Sequence, residues 1–277
     1  MISWLKYAPF DLRYSQSLGE VQGPQYLGVT ECAVTMAGST VSFDVPKHTA
    51  KVGDAAFYLR GQDCQSLIAS SYNGMANDNW RYYSAFFRAW EYRKSWFRGV
   101  VGHSYMNVDL VFREKQHEFL DVSLLHPKGF EYALTLFLNA RFGVGQPNLL
   151  HEHAGPINWQ ARDLPPVFAA AFQIKPNTML FSFPVTEKCF VLVSFTHSLS
   201  QPELISEANA FYQKVVDSFK LVMPEEKTQG LNEIKADVAG WKVVETFPPL
   251  KWPITVEEVE GATVLESGAT QRLTPES

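Results

Sequence analysis

No run of 18 or more apolar residues occurs in this sequence, so no segment reads as a membrane-spanning helix. Cysteine is scarce: Cys32, Cys64 and Cys189, an odd number at wide spacing, with no CxxC pair. That pattern excludes a disulfide framework. Buried free thiols are the expectation, and Cys189 in the run KCFVLVSF suits a covered strand. Cys32 and Cys64 could pair, but nothing in the sequence requires it. Charge is also low, with 19% of the 277 residues charged and a net charge of −5. Nucleic-acid binders usually carry a basic domain or stripe, so nucleic acid is not an expected partner. The opening MISWLKYAPFDLRY lacks the apolar core and small-residue cleavage site of a secretory signal. A cytoplasmic location is therefore the default expectation.

Chemical signatures are equally thin. GHSYM at 102–106 lacks the second glycine of a nucleophile turn and stands before a strand rather than between strand and helix. FGVGQPN at 142–148 follows a helix, whereas phosphate loops precede one. His151 and His153, with Glu152 between them, would share one face of a strand. Two imidazoles fall short of the three or four ligands that zinc needs, so no metal and no cofactor are expected. Asp109 and Asp121 become neighbours if 106–113 and 118–126 pair as a hairpin, though solvated positions are the plainer account of both.

What the chain does contain is a sequence of alternating and helical patterns. Strands are predicted at 39–48, 55–60, 106–113 and 118–126, and an antiparallel meander at 167–174, 179–185 and 189–197. The last of these is nearly continuous in apolar residues, as in a central strand covered on both faces. Helices are predicted at 79–98, 130–141 and 202–220, with a short polar one within 225–240. The segment 143–166 reads as a long ordered loop. The fold class is then α+β, an antiparallel sheet covered by helices. The body spans 1–223, with two related β-then-helix halves, about 1–100 and 101–223, as one way to divide it. A docking extension follows at 224–253, and 254–277 has the composition of a disordered tail.

The densest feature is DNWRYYSAFFRAWEYRKSWFRGV, residues 78–100, in which nine residues are aromatic and five are Arg or Lys. Asn77, Asp78 and Asn79 suit a helix N-cap. On a helical wheel Tyr82, Tyr83, Phe86, Phe87, Trp90 and Phe97 gather into one core-facing stripe, with Arg81 and Arg88 on the far side. Tyr92 and Trp96 fall off that stripe, beside Arg93 and Lys94. An aromatic with an adjacent arginine is a frequent interface pair, so Tyr92, Arg93, Lys94 and Trp96 form the candidate partner-binding patch.

Residues 167–222 resemble the end of the PsbP/DcrB-like family. The resemblance rests on the strand pair MLFSFPV and CFVLVSFTH, on a following helix that closes with VVDSFKL, and on SFDVP at 42–46. It covers about a third of the chain. It implies an antiparallel sheet sandwiched by helices, and an accessory, adaptor or chaperone-like role rather than an enzyme. The chain is longer than that pattern and carries the extra aromatic stretch, and no site residues are transferred.

The expected function is accordingly a non-catalytic binding protein of the adaptor, chaperone or immunity kind, whose partner is another protein. One alternative is a hydrolase-like enzyme with a site near 143–166 using His151, Glu152, His153 or Asp163. Another is a small-molecule carrier with an apolar pocket between the sheet and the aromatic helix. The identity of the partner and the oligomeric state stay open.

Overall fold

The computed structural model describes residues 21–24, 28–50, 56–71, 80–94, 99–113, 123–142, 156–238 and 241–243. The expected tail at 254–277 and most of the extension lie outside these residues. Thr30–Met36 (β2) and Ser39–Val45 (β3) form a hairpin. Its turn residues Ala37 and Gly38 take φ of 49° and 75°, the left-handed pair whose twist matches the flanking strands. Alternation along β3 buries Val41, Phe43 and Val45 and turns Thr40, Ser42 and Asp44 outward. Lys220–Val222 (β12) pairs with the other edge of β3, which completes a three-stranded sheet.

The larger sheet has nine strands. They are Val21–Gln22 (β1), Phe57–Tyr58 (β4), Ser70–Ser71 (β5), Trp80–Lys94 (β6), Val100–Arg113 (β7), Ile157–Leu164 (β8), Val167–Lys175 (β9), Thr178–Pro184 (β10) and Cys189–His197 (β11). The main order is β1-β6-β7-β11-β10-β9-β8, with β4 and β5 also on the outer edge of β6. Every pairing is antiparallel. The predicted meander is β9-β10-β11, and β11 sits centrally between β7 and β10. Three α-helices are described, Pro127–Phe142 (α1), Pro202–Asp217 (α2) and Glu225–Asp237 (α3).

The architecture is three layers. One face of the nine-stranded sheet packs on α2 and the three-stranded sheet, around Phe86, Trp90, Val108, Val193, Phe195, Phe211 and Phe219. The opposite face packs on α1, through Phe130, Phe137, Phe168, Phe172 and Phe190. Each fully buried side chain of this size stabilises the fold by roughly 1.5–3 kcal/mol. Phe43 ties the layers together, stacked on Phe219 at 4.7 Å and edge-on to Phe86 at 5.0 Å.

The helix expected at 79–98 is a strand, β6. Tyr, Phe and Trp favour a pleated surface that is covered on its faces, and this strand is covered along one face and, at its Trp80 end, on the other. Trp80 lies in the α1 cluster, whereas Phe86, Trp90 and Tyr92 lie in the α2 cluster. The pairing register with β7 shifts between Ser84 and Phe86. A bulge there flips the parity, so Tyr83 and Phe86 share a face that strict alternation would deny them. That flip erases period two from the sequence and leaves a spacing that imitates a helix. With 80–94 extended, the described residues of the first half include no counterpart of α2.

Two other expectations change. The edges of β7 are occupied by β6 and β11, which leaves no place for 118–126 beside it. Residues 123–126 form a turn into α1, and Asp121 lies outside the described residues. The loop expected at 143–166 includes β8, which turns through Pro165-Pro166 into β9.

Two of the edges, those of β6 and β2, are met by short segments and side chains. The outer edge of β6 is met in succession by β5, β4, residues 48–50 and β1. On β2, the Tyr58 hydroxyl accepts from the Ala33 N–H at 2.8 Å and donates to the Ala33 carbonyl at 3.1 Å. The Asp63 carboxylate accepts from the N–H groups of Ala37, Gly38 and Gln65. Such devices prevent a bare edge from templating another strand.

Candidate functional site

The structure divides the predicted patch at 92–96. Tyr92 points into the α2 cluster with 1% exposure, which takes its side chain off the surface. The reason is the strand: on β6 it lies two residues beyond Trp90 and shares its inward face. Arg93 lies on the other face. Its Nε donates to Glu91 Oε2 at 2.9 Å, and a second guanidinium nitrogen makes a closer contact with the same oxygen. Arg93 keeps 26% of its side chain exposed and Glu91 only 3%, an arrangement in which the arginine satisfies a buried carboxylate. Lys94 ends β6 opposite Val21. Its side chain and all of Trp96 lie outside the described residues.

Arg93 belongs to a surface that the helical reading missed. Phe87 and Tyr105 stack across β6 and β7 at 6.4 Å, and His103 stacks on Tyr105 at 6.1 Å. Asn107 on the same face reaches Ser194 on β11 at 3.5 Å. Phe87, His103, Tyr105 and Arg93 are each partly exposed, and Val100 at the start of β7 is 42% exposed. Alternation of His103, Tyr105 and Asn107 against Ser104, Met106 and Val108 was the available signal for this row, beginning three residues before the predicted strand.

A second feature is enclosed. Trp90, Ser104 and His197 form one row across β6, β7 and β11, beneath Tyr212 of α2, which stacks on Phe195 at 4.7 Å. The Tyr92, Ser104 and Tyr212 hydroxyls are buried, and none has a hydrogen-bond partner in sound geometry among the described residues. Ser104 nevertheless lies near both phenols and tempers their acidity shift. Burial dominates, pushing the Tyr92 phenol up to about 12 and that of Tyr212 well above its ordinary value. Both phenols stay protonated at neutral pH, so neither is poised as a general base.

The residues of the hydrolase-like alternative are not gathered. Asp163 is exposed on β8, opposite Phe168, and His151, Glu152 and His153 lie outside the described residues. His103 and Ser104 are adjacent on a strand and so face opposite sides of the sheet. Asp109 lies opposite Ser84 and Leu192 and is largely buried. The pocket of the carrier alternative required a helix that is the strand β6. Among the described residues, no group of three or more His, Cys, Asp or Glu side chains is placed to hold a metal ion. Cys32, Cys64 and Cys189 are free and buried. Burial raises all three thiols, Cys64 to about 12. No helix among the described residues is long and apolar enough to cross a membrane. The chain matches no family model, no curated protein and no solved structure.

Proposed function

We propose that this chain is a non-catalytic binding protein of the adaptor, chaperone or immunity kind that acts through contact with another protein. The contact surface is the outer end of the β6–β7 ribbon. Its members are Arg93, Val100, Phe87, His103 and Tyr105. The observation that supports this reading is the row of stacked, partly exposed aromatic rings beside an arginine held by a buried carboxylate. Aromatic and arginine side chains dominate the energetics of protein interfaces. A rigid sheet presents them with little entropy to lose on binding. The Glu91 carboxylate fixes the guanidinium in place before any partner arrives.

The test replaces this surface while leaving the core intact. The full chain with Phe87→Ser, Arg93→Ser and Tyr105→Ser is compared with the unaltered protein by quantitative affinity capture from its native cells. The reading expects at least a tenfold loss of a specifically enriched protein, with thermal midpoints matched. Unchanged enrichment at matched stability would reject this surface as the contact.

A further inference from the structure

Three of the four histidines among the described residues serve as acceptors for a backbone N–H through Nδ1. His48 Nδ1 accepts from the Ala89 N–H at 3.0 Å, His126 Nδ1 from the Lys128 N–H at 3.2 Å, and His197 Nδ1 from the Leu199 N–H at 3.3 Å. A ring nitrogen that accepts must carry no proton, because in the doubly protonated imidazolium both nitrogens are donors. Protonation at any of these positions sets N–H against N–H.

The three bonds stand at joints. His48 opens the strap 48–50, which is laid on the outer edge of β6. There Thr49 and Ala50 donate to the Ala89 carbonyl at 3.1 and 3.2 Å, and Thr49 Oγ1 accepts from the Glu91 N–H at 3.2 Å. His126 stands immediately before α1, where the first N–H groups of a helix lack intrahelical partners. Its ring satisfies that of Lys128, and its carbonyl accepts from Phe130 at 2.9 Å. His197 ends β11, and its bond to Leu199 shapes the short link into α2. The joints therefore serve one sheet edge and the helix on each face of the nine-stranded sheet.

We propose that His48, His126 and His197 form an acid-releasable set of clamps, which hold the β6 strap, the start of α1 and the β11–α2 link while neutral and release all three when protonated.

The surroundings of each ring favour the neutral form. Around His48, burial disfavours the charge first and Arg88 of β6 adds to it. The Ala50 carbonyl and Glu91 pull the other way, but Glu91 is already engaged by Arg93. For His126 burial leads and Lys128 of α1 reinforces it. For His197 burial leads against the Pro176 carbonyl, and the Tyr212 ring packed on it from α2 is uncharged at neutral pH. All three rings are shifted below the ordinary imidazole value. The folded chain thus binds these protons less readily than the unfolded chain, so unfolding takes up protons. The stabilisation is complete above about pH 6.5 and is lost as pH falls through that value toward the lowered folded values. Within that window each histidine raises the unfolding constant by up to about tenfold per pH unit.

The experiment follows the imidazole nitrogens of the full-length, 15N-labelled chain by NMR from pH 8 to pH 5. Single changes His48→Asn, His126→Asn and His197→Asn assign the signals, each leaving an oxygen able to accept. The expected result is that these three rings carry their proton on Nε2 at pH 8 and titrate below the ordinary imidazole range. In urea titrations between pH 7.5 and 5.5, the triple variant shows a shallower loss of stability than the unaltered chain. Ordinary titration of the three rings, or a proton on Nδ1, would overturn the proposal. So would a triple variant that folds and keeps the original pH slope. If the triple variant does not fold, the NMR of the unaltered chain decides alone.

Discussion

Arg88 donates to the Pro46 carbonyl at 2.6 Å and to the Val45 carbonyl at 3.3 Å, which fastens the end of β3 onto the middle of β6. The same guanidinium reaches Cys32 Sγ at 3.4 Å and lies 5.2 Å from the centre of the Phe86 ring. A residue expected on the solvent side of a helix is instead a fastener between two sheets. Replacing it with methionine keeps the stem and removes the donors, which leaves half-buried carbonyls without partners. The expected loss is about 2 kcal/mol in urea denaturation. Lysine recovers only part of it, because an ammonium cannot reproduce the fork.

Asp63 serves three backbone N–H groups with one carboxylate, two of them in the left-handed turn of the β2–β3 hairpin. Asp63→Ala is expected to cost about 1–2 kcal/mol, the usual range for a lost capping acceptor. Asp63→Asn keeps an acceptor oxygen but gives up the charge assistance, so its urea midpoint should fall between those of the alanine variant and the unaltered chain.

Tyr212 and Phe211 lie side by side on α2, yet their truncations should differ in kind. Tyr212→Phe removes a buried hydroxyl that has no sound hydrogen bond among the described residues. Its thermal or urea midpoint should stay within about 1 kcal/mol of the original, in either direction. Phe211→Ala removes the ring that packs edge-on to Trp90 at 5.1 Å. That variant should lose about 3–5 kcal/mol.

The cysteines should be inert in the folded chain. Cys32 and Cys64 are fully buried and Cys189 is 7% exposed, and burial holds each thiol above its ordinary range. A thiol reagent at pH 7.5 is expected to leave all three unmodified for as long as the fold persists. In denaturant all three should react, since the thiolate is the nucleophile and free cysteine ionises near about 8.5. Modification of any one in the native chain at the denatured rate would refute the burial assignment.

Much of the fold is legible in the residues. The apolar run of Cys189–His197 marks a central strand, and the helix expected at 202–220 is α2, whereas the strand Thr30–Met36 before the Ala37-Gly38 turn carried no mark. Residues 78–100 resisted reading because so many of their side chains are large and aromatic that a helical stripe and a covered strand are both consistent with the spacing. The bulge at Ser84–Phe86 removed the alternation that would have separated them. The candidate surface was only partly visible for the same reason. Arg93 was marked, but Phe87, His103 and Tyr105 become neighbours only when β7 pairs with β6.

By itself the sequence determined the α+β class, the order of the last strands and helices, and a low charge with no concentrated chemistry. These follow from local periodicity, turn residues and composition, which a chain carries whatever its partners in space. Only the tertiary structure decided that β6 is a strand, that Tyr92 is core while Arg93 is surface, and that His48, His126 and His197 meet backbone N–H groups at three joints. Each of those outcomes depends on what packs against both faces of a segment, and that cover comes from parts of the chain far away in sequence.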